Sequence, residues 1–312
     1  MSKQKREVES KPSVSLVGAG RLGTALAVAL QLCGYRIEAV VARRLGRARR
    51  AAGLFAQRPL ALSDSQLDKL PQSHLILITT PDDAITTTAG RLAALQKPQG
   101  RSRMRRTVLH TSGALSSAAL SPLSAAGFQV GSLHPLVSVS DPVSGLLNLR
   151  GAFYCLEGDR LALRVARAVV RDLGGKSFSV DQQGKALYHA AAVMASGHMV
   201  ALFDIAAEML SECGLDRRSA RRVLLPLLQS TVKNLSSSDP AGALTGTFAR
   251  GDFATVQRHL QALRTAGSRD AIEAYNLLGH RSLELARENG THPAVLKKIA
   301  KALKQAMRGI GP

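Results

Sequence analysis

The sequence predicts a doubly wound α/β domain with a parallel sheet, followed by an all-α helical domain. Three observations carry this reading. Apolar strand-like segments alternate with helical segments up to about residue 180. A glycine-rich turn joins the first strand to the first helix. Strand signals vanish after residue 181. The chain has 312 residues, enough for two domains of about 150 residues each. Apolar residues make up 45%, which excludes a fully disordered chain. Residues 1–11 are polar and charged and read as a disordered tail. The α/β domain is expected over 12–180 and the helical domain over 181–312.

SVSLV, from Ser13, is β-branched and apolar and reads as the first strand. TALAVALQLC follows as a helix ended by Gly34, and RIEAVVA is the next strand. HLILITT (74–80) is a buried strand between Pro71 and Pro81. TVLHT (107–111) and FQVGSL (128–133) are further short strands. GAFYCLEG, LALRVARAVVRDL and GGKSFSV form one more strand–helix–strand unit ending near Val180. Such alternation predicts a parallel sheet with both faces covered. Helical patterns then run through 183–212, 217–235, 253–265, 268–288 and 293–308, with breaks at Gly214, SSSDPAGALTG and Gly290. The last helix, AVLKKIAKALKQAMRG, is basic and amphipathic. Its Leu296, Ile299 and Leu303 stripe is expected to pack on its own domain rather than on a membrane.

Composition narrows the function. No run of 18 uncharged apolar residues occurs, so no transmembrane helix is expected, and the start lacks the apolar region of a secretory signal. Cys33, Cys155 and Cys213 are odd in number and far apart. That pattern argues against a disulfide framework or a Cys-based metal site and favours a reducing, cytoplasmic setting. The 42 basic and 22 acidic residues leave a charge of +20, with arginines at 43, 44, 47, 49 and 50 and again at 101, 103, 105 and 106. Trp is absent and aromatics are 4%, a poor supply for stacking bases. The charge reads as a solvated basic surface ahead of a nucleic-acid surface, and one cluster fits a small anionic ligand.

Gly18-Ala19-Gly20-Arg21-Leu22-Gly23 is a GxGxxG sequence placed directly after a strand and opening a helix. Gly18 permits the tight turn, Gly20 leaves room for a diphosphate, and Gly23 lets the helix approach the sheet. The helix N-terminus offers free amides and the positive end of its dipole. This is the Rossmann-type dinucleotide signature. The second strand ends Val40-Val41-Ala42-Arg43-Arg44, where an NAD site wants a carboxylate for the ribose 2′-OH; Glu38 lies too early. Arg43 and Arg44 instead offer planar cationic donors to a 2′-phosphate, with Arg47 nearby, so the expected cofactor is NADP.

Loops after the later strands should line the reaction centre. Thr79-Thr80-Pro81-Asp82, His110-Thr111-Ser112-Gly113 and Ser132-Leu133-His134-Pro135 are the three such segments. Thr80, Pro81, Ser112 and Gly113 are expected to border the cofactor, and His134 the substrate. Asp82 and Ser112 read equally as helix caps. In the segment from Lys185 to His198, Lys185 and His189 lie one turn apart on an Ala-rich helix, with Ser196 further on. His189 is the expected proton donor, since imidazole suits proton transfer near neutral pH; Lys185 and Ser196 would orient substrate or stabilise charge. An ordinary interdomain helix with a hydrogen-bonded histidine is the competing reading. Asp252 reads as a helix N-cap, and Arg250 as a bidentate partner for a substrate carboxylate.

VGAGRLG, TTPDDAI, HTSGALSS, GSLHPL, YHAAAVMASG and ALTGTFARGD occur in that order over nearly the whole chain. Together they resemble the two-domain oxidoreductases that pair a Rossmann-like domain with a helical domain of uncharacterised function, in the 6-phosphogluconate dehydrogenase C-terminal-like group. A more distant resemblance is to pyrroline-5-carboxylate reductase. It implies a Ser/Gly turn in the long helix, matched here by Ser196-Gly197. It also implies a substrate loop at a dimer interface, matched from Thr245-Gly246 onward. Gly197 stands where relatives often have Asn, and Thr247 where they often have Pro. Some relatives look like ketopantoate reductases, and prephenate dehydrogenases share the His134-Pro135 pattern. The resemblance implies an NADP-dependent reductase of a carbonyl or imine on a small carboxylate, acting as a homodimer through the helical domain. An NADP-binding sensor without turnover, a prephenate-dehydrogenase-like enzyme and, last, a nucleic-acid binder are the alternatives.

Overall fold

The computed structural model describes residues 11–95 and 106–308. The expected tail over 1–11, apart from Lys11, and the arginines at 101, 103 and 105 lie outside the described residues. Two compact units divide between Met194 and Ala195, whereas the change in sequence character sits near 181.

The first unit runs β1 (Ser13–Val17), α1 (Arg21–Leu32), β2 (Arg36–Ala42), α2 (Leu45–Ala52), β3 (Leu60–Ser63), β4 (Leu75–Ile78), α3 (Asp82–Ala94), β5 (Thr107–His110), α4 (Ser121–Ala125), β6 (Gln129–Pro135), α5 (Pro142–Leu149), β7 (Phe153–Gly158), α6 (Arg160–Asp172), β8 (Lys176–Ser179) and α7 (Lys185–Ala195). One sheet has the order β3-β2-β1-β4-β5-β6-β7-β8. Its strands alternate their side chains between two apolar layers, as the two-residue period of a strand requires. Val14, Leu16, Leu75 and Leu77 join one core with α1, α2 and α6, while Val17, Ile76 and Ile78 join the other with α3 and α4. The reversal of strand order after β3-β2-β1 puts β1 and β4 side by side, which opens a crevice at their carboxyl ends.

The sheet departs from a wholly parallel one at a single pairing: β7 is antiparallel to β6, while β8 is parallel to β7. The chain leaves β6 at Pro135 and re-enters beside it, with Pro135 opposite Tyr154. Between them α5 packs on α1 and makes no return crossing of the sheet.

The second unit holds α8 (Gly197–Glu212), α9 (Arg217–Ser237), α10 (Pro240–Ala243), α11 (Phe253–Ala266), α12 (Arg269–Glu288) and α13 (Pro293–Ala306). Sequence periodicity read 183–212 as one helix, but the backbone leaves helical geometry at Ser196 (φ −124°, ψ −71°), giving α7 and α8. By length and composition Lys185–Glu212 is long and apolar enough to cross a membrane, with a mean hydropathy of 1.6. The backbone break at Ser196 interrupts it, and Asp204 lies within its second half. The core of the second unit joins Val256, Leu260 and Leu263 of α11, Ile272 and Leu283 of α12, and Leu296, Ile299 and Leu303 of α13. The basic last helix thus buries its apolar stripe in its own unit and turns its lysines outward.

Leu303 is fully buried. Leu303→Ala should cost about 2–5 kcal/mol of stability, and Lys301→Ala, on the outer face, within about 0.5 kcal/mol of nothing. Urea unfolding of the two variants checks this; equal midpoints would contradict the buried stripe.

Candidate functional site

The loop between β1 and α1 is held by close contacts that only glycine permits. Gly18 has φ +115°, and a β-carbon there would lie 2.6 Å from the Thr79 carbonyl carbon; at Gly23 it would lie 2.1 Å from Thr79 Oγ1. The Thr79 hydroxyl in turn donates to the Gly18 carbonyl. The amides of Gly18 and Ala19 donate to the Val41 carbonyl at 2.9 and 3.1 Å, which ties the loop to the end of β2. Ala19 is buried in the core, and Leu22 packs half-buried against it. Gly20 is the N-cap of α1, with no side-chain cap and no acidic residue in the first turn. A β-carbon on Gly20 would meet nothing within 4 Å. The first turn of α1 thus has no side-chain cap and an open approach at Gly20, with the helix dipole behind it, as holding a diphosphate requires.

Arg21 reaches over the β6–α5 loop, with Nη1 3.3 Å from the Ser140 carbonyl oxygen. Arg43 and Arg44 follow β2 directly; both are exposed, and Arg44 is the N-cap of α2. Neither pairs with a carboxylate among the described residues. Arg47 Nε donates to the Ala19 carbonyl at 3.2 Å, so one guanidinium is moored to the loop itself. Thr80 follows β4, and its hydroxyl is buried without a partner among the described residues. Pro81 is exposed and is the N-cap of α3. The uncapped helix, the orphaned hydroxyl and the arginines all fit a dinucleotide carrying a 2′-phosphate.

At the ends of β5 and β6 the loops meet α7 of the same unit. Ser112 Oγ donates to Asp82 Oδ2 at 2.7 Å and accepts from the amides of Ala114 and Leu115, so its hydroxyl fixes the loop. His110 accepts at Nδ1 from the Ser112 amide and donates from Nε2 to the Ser116 carbonyl. Lys185 is 1% exposed, and its ammonium donates to Ser132 Oγ at 3.1 Å and to the Ser112 carbonyl at 3.4 Å. Its amine is therefore occupied in joining the β5 and β6 loops. Gly113 carries the rings of His134 and His189: a β-carbon there would lie 2.3 Å from His189 Nδ1 and 2.9 Å from His134 Nε2. The two imidazoles stand edge-on, 5.5 Å between centroids. His189 Nδ1 is buried without a partner among the described residues. His134 Nδ1 is 2.6 Å from the Tyr188 hydroxyl. No sequence motif gives Tyr188 a role of its own, though Lys185, Tyr188 and His189 share one helix face at spacings of three and four.

Burial dominates the electrostatics here. It pushes Lys185 below its ordinary value, partly offset by Cys155, Glu157 and Asp82. Burial, with His189, Lys185 and His110 nearby, pulls His134 down to about 4. Burial also pulls His110 down to about 4, opposed by its bond to the Ser116 carbonyl. Both rings are neutral donors and acceptors at pH 7.

Ser196, Thr245 and Arg250 belong to the second unit. Ser196 is exposed at the N-cap of α8 without a side-chain cap bond. Thr245 is exposed after α10, and Arg250 is exposed in the turn that follows, where its amide bonds the Gly246 carbonyl at 3.1 Å. Asp252 caps α11 by accepting from the Thr255 amide at 3.0 Å. Among the described residues, no group of three or more His, Cys, Asp or Glu side chains is arranged to hold a metal ion.

Unfolding restores His110 and His134 to about 6.5, so the unfolded chain binds protons first as pH falls. Stability is full above about pH 6.5 and declines toward about pH 4. Urea midpoints at pH 7 and pH 5 check this. An unchanged midpoint would contradict two buried neutral imidazoles.

Residues 3–135 match the Rossmann-like domain family, and residues 152–282 match DUF2520, a domain of unknown function. The search of curated proteins gives no match. Among solved structures, a candidate NADP oxidoreductase of Bacteroides fragilis is 22% identical with a TM-score of 0.70, over 88% of this chain and 99% of that one. The pyrroline-5-carboxylate reductase of Streptococcus pyogenes is 15% identical with a TM-score of 0.56, over 96% of this chain and 100% of that one. The Plasmodium falciparum pyrroline carboxylate reductase, solved with NADP bound, is 10% identical with a TM-score of 0.54, over 96% and 98%. At these identities the likeness establishes a shared fold. The Rossmann-like match covers the sheet up to β6, and the DUF2520 match begins at β7 of the first unit and continues into the helical second unit.

Proposed function

We propose that the chain is an NADP(H)-dependent oxidoreductase that reduces a carbonyl or imine of a small carboxylate substrate. The carrying observation is the uncapped, open N-terminus of α1 tied to the end of β2, where Arg43 and Arg44 stand without carboxylate partners among the described residues. The names of the Bacteroides and Plasmodium neighbours support the cofactor, and the reductase neighbours support the reaction class.

In this reading the Gly18–Gly23 loop cradles the diphosphate through the first-turn amides of Arg21, Leu22 and Gly23, since those of Gly18, Ala19 and Gly20 are already bonded within the loop and to Val41, and Arg43 and Arg44 grip the 2′-phosphate. Thr80, Pro81, Ser112 and Gly113 border the nicotinamide end. NADPH, when bound, supplies the hydride. His189 gives the proton to the oxygen or nitrogen of the substrate, and His134 holds that atom by a hydrogen bond. Lys185 acts by positioning, since it locks the loops that carry Ser112 and Ser132. In the second unit Ser196 and Thr245 offer hydroxyls, and Arg250 a guanidinium, of the kind that a small carboxylate substrate needs. Ketopantoate, a 2-oxo acid, is the single substrate we favour, on the resemblance to such reductases.

Val200 of α8, Val223 and Leu227 of α9 and Leu277 of α12 are exposed apolar side chains, and a second copy of the chain would cover them in a homodimer. The three free cysteines fit a cytoplasmic, reducing setting.

Oxidation of NADPH with a panel of 2-oxo acids and cyclic imines tests the activity; turnover with none of them contradicts it. With an active substrate, His189→Ala should lower kcat by about 100-fold or more and leave NADPH affinity nearly unchanged. Equal loss in both would remove His189 from the proton-donor role.

A further inference from the structure

Among the described residues the Tyr188 hydroxyl makes no hydrogen bond to the glycine loop or to the partners of Lys185, yet it is bonded to His134. His134 Nδ1 lies 2.6 Å from that hydroxyl, and Cys155 of β7 is its electrostatic neighbour. The Tyr188 ring stands edge-on to His134 at 5.6 Å and to Phe178 of β8 at 5.7 Å, with Lys185 Nζ 5.7 Å from its centre. The opposite edge of the His134 ring, Cε1 and Nε2, faces Gly113 and the His189 ring. A neutral imidazole has two tautomers, and the one present decides whether Nε2 donates or accepts on that side.

We propose that Tyr188 is a positioning residue: its hydroxyl donates to His134 Nδ1, fixes the Nε2–H tautomer, and so makes His134 Nε2 a standing hydrogen-bond donor on the Gly113 side. This rests on the reading of the cluster as the reaction site. Between a phenol and a neutral imidazole the phenol is the more acidic donor and the imidazole nitrogen the more basic acceptor, so the hydroxyl gives its proton to the bond. Burial pushes both the Cys155 thiol and the Tyr188 hydroxyl up, so each keeps its proton at neutral pH. The bond then runs from the Tyr188 hydroxyl to His134 Nδ1. The titratable groups facing His134 are Tyr188, His189 and Lys185 of α7 and His110 of β5. The three basic ones oppose a second proton on the ring. A neutral Nε2–H donor polarises a carbonyl or imine without consuming a proton of its own.

The test is a long-range 1H–15N NMR spectrum of the full chain, labelled at histidine nitrogen, at pH 7 and without substrate. His134→Gln assigns the signals. The wild type should show a proton-free Nδ1 and a protonated Nε2 on His134. Tyr188→Phe keeps the ring and its contact with Phe178; it should mix the two tautomers and lower kcat about tenfold or more, with NADPH affinity unchanged. A merely structural role would lower the melting temperature and leave the tautomer in place. A protonated Nδ1 in the wild type, or the same tautomer in Tyr188→Phe, overturns the proposal. The wild-type spectrum decides by itself if the variant fails to fold. Absence of NADPH binding in a chain that shows the expected tautomers would defeat the oxidoreductase reading and leave the tautomer assignment supported.

Discussion

Two missing β-carbons set the geometry on which the rest depends. Without side chains at Gly18 and Gly23, the first turn of α1 closes on Thr79 at the end of β4. The loop then hangs from the Val41 carbonyl at the end of β2. Three strand ends meet at one helix N-terminus, and that terminus has no side-chain cap. Leaving such amides unpaired is costly unless water or a ligand satisfies them. An anionic partner recovers that cost and the dipole term together, which makes the loop a binding feature as well as a turn.

A second constraint works at the other end of the crevice. Lys185 is a buried cation, and burying a charge is tolerated only with partners. Its partners are the Ser112 carbonyl and the Ser132 hydroxyl, so α7 is pinned across the β5 and β6 loops. The pin brings His189 and Tyr188 to His134 over the bare face of Gly113. A patch with three histidines and a lysine would repel itself if fully charged; burial resolves this by keeping His110 and His134 neutral.

What the sequence showed and what it hid follow from the range of each interaction. The glycine loop was legible because its signal is local: strand, turn and helix occupy eleven consecutive positions from Ser13 to Gly23. The Leu296, Ile299 and Leu303 stripe was legible because helical period alone marks a buried face. The direction of β7 was not, since a strand–helix–strand unit reads the same whichever way it joins the sheet; the short α5 between Pro135 and Phe153 sets it. The break at Ser196 carries no proline, so periodicity runs through it, and only the family resemblance marks a Ser/Gly turn there. Spacing put Lys185 and His189 on one helix face, but the partners of Lys185 lie 53 and 73 residues upstream. Tyr188 was hidden for the same reason, since its significance comes from His134, 54 residues away.

Calorimetric titration of the intact chain with NADPH and with NADH, side by side, decides whether the glycine loop and the arginines bind the 2′-phosphorylated coenzyme. Saturable heat with NADPH is expected, with affinity at least about tenfold weaker for NADH, a difference of about 1.4 kcal/mol. The preference should disappear in the Arg43→Ala, Arg44→Ala double variant. No heat with either coenzyme at millimolar concentration, or equal affinity for the two in the wild type, would contradict this mode of binding.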